Sequence, residues 1–274
     1  TGCPPVTVHG VGKVQAKRFE IDGGLSSQYV SALLMLAACG EAPIEVALTG
    51  KDIGARGYVD LTLDCMRAFG AQVDAVDDTT WRVAPTGYTA HDYLIEPDAS
   101  AATYLWAAEV LTGGRIDIGV AAQDFTQPDA KAQAVIAQFP NMQATVVGSQ
   151  MQDAIPTLAV LAAFNNTPVR FTELANLRVK ECDRVQALHD GLNEIRPGLA
   201  TIEGDDLLVA SDPALAGTAC TALIDTHADH RIAMCFALAG LKVSGIRIQD
   251  PDCVAKTYPD YWKALASLGV HLND

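Results

Sequence analysis

Apolar residues crowd into four stretches of this chain. Each stretch opens on a polar residue, closes on small ones and then runs into a β-rich segment. The stretches are SSQYVSALLMLAACGEAPIEVAL from Ser26, DASAATYLWAAEVLTGGRIDIG from Asp98, DAIPTLAVLAAFNNTPVRFTEL from Asp153 and DHRIAMCFALAGLKVSGIRIQD from Asp229. Ser or Asp at each start sits where an N-cap belongs, because its side-chain oxygen accepts an unpaired first-turn N–H. The helical parts are apolar nearly all round, which predicts buried helices followed by strands. The first, third and fourth are followed by a more amphipathic second helix: YVDLTLDCMRAFGAQVDAV, VKECDRVQALHDGLNEI and TYPDYWKALASLGVHLN. In the second unit DAKAQAVIAQFPNMQATVV fills that place less cleanly, and Ala121 to Gln150 is irregular. A spacing of roughly 55–75 residues marks a repeated supersecondary unit, here helix–strand–helix–strand–strand, rather than a short solenoid repeat. The predicted class is therefore α/β, assembled from repeated modules. Gly87, Thr89 and Pro97 punctuate one module boundary, and the domain switch is expected near Tyr93.

Composition narrows the function classes. A hydrophobic fraction of 49% and 274 residues suit one large or two ordinary globular domains. The net charge of −14 argues against a nucleic-acid or lipid-binding surface, and it makes local clusters of Lys, Arg and His more informative. The longest apolar run, Ala32 to Cys39, is far short of a membrane span. Seven scattered cysteines with no CxxC pair read as reduced core thiols in a cytoplasmic protein, without a structural zinc site. Thr1 opens the chain, and TGCPPVTVHG reads as the middle of a sheet-rich domain, so an N-terminal portion is expected to be missing.

Candidate chemistry gathers at helix openings, where unpaired N–H groups favour phosphate or carboxylate. GGLSSQ offers Ser26, Ser27 and Gln28 there, although plain capping would explain the hydroxyls equally well. His230 and Arg231 occupy the first turn of an apolar helix, where the macrodipole disfavours cations. Pairing of Arg231 with Asp229 or Asp225 would account for it, and a bound anion would account for it better. Asp153 opens its helix, where capping is the common outcome. RVKECDR then packs Lys180, Glu181 and Arg184 close to Asn176. The spacing predicts Val179, Cys182, Val185 and Leu188 facing the core, with Lys180 and Arg184 one helical turn apart on a shared edge. Glu181 and Arg184 can pair at i, i+3, and a solvated charged face is the competing explanation. Lys256 precedes a further helix start. No metal spacing, Walker motif, dinucleotide fingerprint or Gly-x-Ser-x-Gly elbow is present. Anion-binding cations with two carboxylates suit transfer between small anionic substrates without a cofactor.

DGGLSSQYVSALLM, DASAATYL, DAIPTLAVLAAF, NLRVKECDR, ADHRIAMCF and DPDCVAKTYPDYW stand in the order of the 5-enolpyruvylshikimate-3-phosphate synthase family, and the whole chain resembles it. The resemblance implies a two-domain fold of βαβαββ modules, with the active site in the cleft between the domains. Residues 1–92 would be the C-terminal part of an incomplete first domain, and 93–274 the C-terminal domain. It implies enolpyruvyl transfer from phosphoenolpyruvate to the 5-hydroxyl of shikimate 3-phosphate. Ser26, Ser27, Gln28, Tyr58, Asp153, Asn176 and Lys180 would bind shikimate 3-phosphate, with Arg56 beside Tyr58. Gln28, Arg184, His230, Arg231 and Lys256 would hold phosphoenolpyruvate. Asp153 would be the base on the 5-hydroxyl, and Glu181 would transfer the proton at the methylene. No cofactor or metal is implied.

The sequence departs from the family in DIGARGY, where Ala55 and Gly57 replace the usual Ser and Pro; loss of that hydroxyl would weaken phosphate binding by about 1.5–3 kcal/mol. The segment before Asp153 is also shorter than usual. The family's early Lys and Arg and its Asn-Ala-Gly-Thr loop have no counterpart. A fragment, a proteolysed product or pairing with a separate N-terminal polypeptide would each account for that, and the chain alone is expected to be inactive. Two alternatives remain open at this point: the sister transferase acting on UDP-N-acetylglucosamine, and a catalytically dead binding fragment.

Overall fold

The computed structural model describes residues 5–24, 26–50 and 56–273, and it divides into two compact units, Thr1–Ile95 and Glu96–Asp274. In unit 1 the strands β1 (Arg18–Asp22) and β2 (Ile44–Thr49) run parallel, joined through the helix α1 (Ser27–Ala37). Helix α2 (Arg56–Ala68) then leads to the hairpin of β3 (Val73–Asp77) and β4 (Thr80–Val83). Its turn is held by Asp77, whose carboxylate accepts both the Thr79 N–H and the Thr79 hydroxyl. The sheet order is β1-β2-β4-β3, with β4 antiparallel to both neighbours. Val30 and Leu34 of α1 and Val59 and Leu63 of α2 pack with Ile44, Val46, Trp81 and Val83 of the sheet.

Unit 2 opens with α3 (Ala99–Thr112) and the short α4 (Ala132–Ile136). It then repeats the module: β5 (Thr145–Val147), α5 (Ile155–Ala162), β6 (Val169–Thr172), α6 (Arg184–Ile195), β7 (Ala200–Glu203) and β8 (Asp206–Val209). The order β5-β6-β8-β7, one parallel pair and two antiparallel pairs, reproduces the strand order and directions of unit 1. The βαβαββ repeat is thus geometrical as well as sequential. A smaller parallel pair, β9 (Leu223–Ile224) and β10 (Arg247–Ile248), flanks α7 (His230–Ala239), and α8 (Tyr261–Ser267) follows. Every residue of α5 is buried, and each of its Ile and Leu side chains contributes roughly 1.5–3 kcal/mol of burial energy. The threonines of α3 and α5 share a buried hydrogen bond, Thr103 Oγ1 to Thr157 Oγ1 at 3.0 Å.

Several expectations are corrected. Helix α1 is not buried all round, since Tyr29, Met35 and Leu36 are exposed while Val30, Leu34 and Ala37 meet the core. No strand follows α3: the Ile116 N–H donates to Glu109 Oε1 at 2.7 Å and the Gly119 N–H to Asp117 Oδ1 at 2.8 Å, so side chains take donors that a ladder would use. Asp153 does not cap α5, whose N-cap is Ala154. RVKECDR is not one helical face. A 3-10 turn, Ala175–Val179, ends before Lys180, and α6 begins only at Arg184 with Asp183 as its cap. Val179 therefore lies 58% exposed, whereas Val185 and Leu188 are buried as the spacing required. Among the described cysteines Cys39 is exposed and Cys235 buried, and all are free thiols; Cys3 lies outside the described residues.

Candidate functional site

Unit 2 brings together charged side chains from the starts of three helices. Arg184 is the first residue of α6 and only 1% exposed. Its guanidinium meets three carboxylates: Nη1 to Asp153 Oδ1 at 2.9 Å, Nε to Asp229 Oδ2 at 2.8 Å and Nη2 to Glu181 Oε2 at 2.6 Å. The second oxygen of Asp153 takes Arg231 Nη2 at 3.0 Å, and Lys180 Nζ stands 3.7 Å from the first. Lys256, at the end of the 3-10 turn Pro251–Lys256, pairs with the other oxygen of Glu181. Sequence positions as far apart as 153 and 256 thus meet in one cluster.

The local backbone explains the aim of each group. Asp153 sits in a 3-10 turn, Gln152–Ala154, so its carboxylate is free of capping duty and points at cations. Asp229 caps α7 by accepting the Arg231 N–H at 2.8 Å, which leaves its other oxygen for Arg184. The two residues before it, His227 and Ala228, hold left-handed φ of 51° and 55°. That conformation costs about 1–2 kcal/mol per residue and turns the chain into the capping position. The pairing of Arg231 with the Asp229 or Asp225 carboxylate, the plainer account of its position, is not made by its side chain, which goes to Asp153, while Asp225 accepts the His227 N–H.

Charge governs the ionisation of the cluster. Burial alone would raise the Asp153 pKa, but Arg231, Lys180 and Arg184 together hold it well below the carboxylate range. Burial opposes ionisation of Glu181 too, yet the Lys256 hydrogen bond and the Arg184 charge bring it down to about 2. Burial works against charged Arg231, and the Asp153 carboxylate outweighs it, helped by Tyr104, Asp129 and Asp98. His230 differs from the sequence expectation of another cation. Burial and the Arg231 charge push its pKa down to about 4, so the ring is neutral near pH 7. Both ring nitrogens are buried without hydrogen-bond partners. Cys182, whose Sγ lies 3.5 Å from Asp229 Oδ2, is pushed up to about 12 by burial and that carboxylate, which keeps it a thiol near neutral pH.

Asp153, Lys180, Glu181, Arg184, Arg231 and Lys256 are therefore assembled, with His230 packed beside them. Asn176 lies on the turn before Lys180, half-buried, with Oδ1 buried and without a hydrogen-bond partner. In unit 1 Ser26 caps α1, its hydroxyl accepting the Gln28 N–H at 3.2 Å, while Ser27 is half-buried and Gln28 exposed. Tyr58 is half-buried on α2. Arg56 is committed within unit 1, donating to the Asp78 carbonyl and lying 5.6 Å over the Trp81 ring. Ala55 lies outside the described residues, and Gly57 is the second residue of α2.

Sequence reading underused two residues. Asp229 was legible as a cap but not as a partner of Arg184. Asp129 is 1% exposed and accepts the Ala154 N–H at 3.1 Å from 25 residues away, so no local signal marks it. Among the described residues no group of His, Cys, Asp and Glu could hold a metal, and no helix is long and apolar enough to cross a membrane.

Comparison with known proteins adds a family context. Residues 1–265 match a family model described as EPSP synthase (3-phosphoshikimate 1-carboxyvinyltransferase). The chain is 71% identical over 273 residues to the 3-phosphoshikimate 1-carboxyvinyltransferase of Pseudomonas syringae pv. syringae, which covers 100% of this chain and 65% of that protein. It is 67% identical over 274 residues to the protein of the same name from Rhizobium leguminosarum bv. trifolii, with the same coverage. The chain thus spans 65% of the length of these curated relatives. Its fold is similar to that of EPSP synthase from Acinetobacter baumannii, with a TM-score of 0.69 at 21% identity over 97% of this chain and 65% of that one. It is also similar to the enolpyruvyl transferase NikO from Streptomyces tendae, with a TM-score of 0.63 at 17% identity over 95% of this chain and 65% of that one.

Proposed function

This chain belongs to the EPSP synthase family, and on that premise we propose that it transfers the enolpyruvyl group of phosphoenolpyruvate to the 5-hydroxyl of shikimate 3-phosphate. The observation that carries the reading is the cluster in unit 2, in which Arg184, Arg231, Lys180 and Lys256 converge on Asp153 and Glu181. Both substrates are small and polyanionic. Arg184 and Arg231 are buried and Lys180 is half-buried, a setting that holds such groups where exposed pairs would contribute little. The exposed Lys256 adds a fourth cation at the edge.

In this proposal Asp153 accepts the proton of the 5-hydroxyl as that oxygen adds to C2 of phosphoenolpyruvate, and C3 takes a proton from Glu181. The tetrahedral adduct then loses phosphate as the C3 proton returns, which leaves the enolpyruvyl ether. Arg184, Arg231, Lys256 and neutral His230 hold the phosphoenolpyruvate carboxylate and phosphate; Lys180 and Asn176 contact shikimate 3-phosphate. The unpartnered Asn176 Oδ1 supports that contact, since a buried acceptor left unmade costs about 1–3 kcal/mol. Ser26, Ser27, Gln28 and Tyr58 of unit 1 bind shikimate 3-phosphate, Gln28 also reaching phosphoenolpyruvate.

The electrostatics add a condition. Carboxylates pinned by cations are weak bases and stay deprotonated near neutral pH, so Asp153 can take a proton and Glu181 can carry one only as substrate anions take over their counter-ions. Substrate binding itself then tunes the two proton carriers toward neutral pH.

The sister reaction on UDP-N-acetylglucosamine is not favoured, because the family model and the curated relatives are named for the shikimate enzyme. The expectations of a separate N-terminal polypeptide and of inactivity in the chain alone gain no support from these relatives, and neither forms part of the proposal. The deciding assay mixes the folded chain with both substrates and follows phosphate release, with NMR detection of the enolpyruvyl ether. Product is expected from the wild type, with Asp153→Asn lowering kcat by about 100-fold or more. Absence of product from the folded wild type, or an unchanged kcat in the variant, would sink the reading.

A further inference from the structure

Asp153 carries the weight of the proposed chemistry, and its turn has local support from Gln152 Nε2 on the Ser149 carbonyl and from the Ala154 N–H on the Met151 carbonyl, both at 3.1 Å. The 3-10 turn Gln152–Ala154 has no side-chain cap, and neither does α5 behind it. The group that reaches this backbone is Asp129. It sits in the segment TQPD ahead of α4, is 1% exposed, and accepts the Ala154 N–H at 3.1 Å, a hydrogen that Ala154 also shares with the Met151 carbonyl at 3.1 Å.

The segment bearing Asp129 is itself fixed. Glu96 accepts the Thr126 N–H at 2.9 Å, the Thr126 hydroxyl at 3.0 Å, the Gln127 N–H at 3.1 Å and Gln127 Nε2 at 2.9 Å. Gln127 in turn donates to the Pro97 carbonyl at 2.7 Å and accepts the Ala99 N–H, the first of α3, at 2.9 Å. Four residues therefore tie the start of α3 to the start of α5 through two side chains, Gln127 and Asp129. The Asp129 carboxylate also acts by charge on Arg231, the partner of the second Asp153 oxygen. One buried acid thus touches the catalytic turn from behind and biases the cation in front of it.

We propose that Asp129 is a positioning residue, which fixes the turn carrying Asp153 through its hydrogen bond to the Ala154 amide. It does not touch substrate. A buried carboxylate is costly to keep unless it is hydrogen-bonded or faces a cation, and the Ala154 amide and the Arg231 charge are two such uses of Asp129. The inference deepens the functional reading above and rests on it for its kinetic half alone.

The test compares Asp129→Ala, which removes acceptor and charge, with Asp129→Asn, which keeps an oxygen for the amide and removes the charge. Asp129→Ser, too short to reach Ala154, replaces the Ala variant if that one does not fold. Two readouts are taken on the full chain. The first is the titration of the Asp153 carboxyl by 13C NMR without substrate. Asp129→Ala should raise its pKa toward the ordinary carboxylate range, because a loosened turn loses its cations. Asp129→Asn should not raise it. The second is steady-state kinetics, where Asp129→Ala should lower kcat about 10- to 100-fold with each KM within about threefold, and Asp129→Asn should recover most of it. A purely structural role would lower thermal stability while leaving kcat per folded molecule and the Asp153 titration as in wild type, and that result overturns the proposal. Equal titration and kinetic defects in the Asn and Ala variants also overturn it, since charge rather than the hydrogen bond would then be responsible. If the wild type makes no product, the enzyme reading fails, and the titration still decides whether Asp129 positions Asp153.

Discussion

Asp153, Glu181, Asp229 and His230 each answer to neighbours that a linear reading cannot supply. His230 is the clearest titration case. Its ring is 2% exposed, beside the Arg231 charge, and its folded pKa falls to about 4 from 6.5. Between those values the unfolded chain binds the proton and the folded one does not, so stability is lost as pH falls from about 6.5 to about 4. Glu181, lowered to about 2 from 4.5, adds a further loss below pH 4.5. Thermal melts across this range should show Tm falling between pH 6.5 and 4 in the wild type, with a shallower fall in His230→Gln. Parallel curves for the two proteins would show that His230 is not the titrating group. The types and positions of these residues were readable from DAIPTL, ADHR and RVKECDR. The ionisation of Asp153, Glu181 and His230 was not, because burial and through-space charge decide it.

Helices α6 and α7 show how a single position governs packing between elements. Gly191 of α6 faces the Phe236 ring of α7, and a Cβ there would stand 2.4 Å from Phe236 Cζ and 2.7 Å from Cε2. The ring is fully buried, so it cannot swing aside into solvent. Gly191→Ala should destabilise the chain by about 1–3 kcal/mol through overpacking, read as a lower denaturation midpoint at unchanged slope. A midpoint within error of wild type would show that the two helices can separate at little cost. The same pair of helices carries Arg184 and Asp229 at their starts, so their spacing and the geometry of the cluster are linked. The periodicity of VKECDRVQALHDGLNEI anticipated the buried face from Val185 onward. It failed at Val179 because a 3-10 turn, not a helix, precedes Lys180. Short 3-10 turns lack a hydrophobic period long enough to be recognised.

For the molecule as a whole, the two cores are separate clusters, one built on the sheet of unit 1 and one on the α3, α5 and α7 helices of unit 2. The chain passes from unit 1 to unit 2 through Leu94 and Ile95, which are 95% and 81% exposed. Exposed apolar residues at a unit junction make a protease site, since no packed structure must open before cleavage. Limited chymotrypsin digestion should cut first after Tyr93 or Leu94 and release a stable fragment containing unit 2. Earlier cuts inside either unit would contradict this division. Net charge belongs to this scale too. At −14 the chain repels anions at long range. The cation-rich cluster in unit 2 therefore has to act at short range.

By itself the sequence determined the repeat, the buried helices of unit 2 and the residue types of the site. Those features rest on local periodicity, capping chemistry and short motifs. Ser26, Asp98 and Asp229 cap their helices as the sequence indicated. Tertiary structure alone decided that Asp153 caps nothing and instead takes Arg184 and Arg231, and that Asp129 reaches Ala154 across 25 residues. It also decided that GGRIDIG forms no strand, because Glu109 and Asp117 claim backbone donors there. The physical reason is common to all three. A polar side chain has several possible partners of similar energy, and only the packed chain determines which one is within reach.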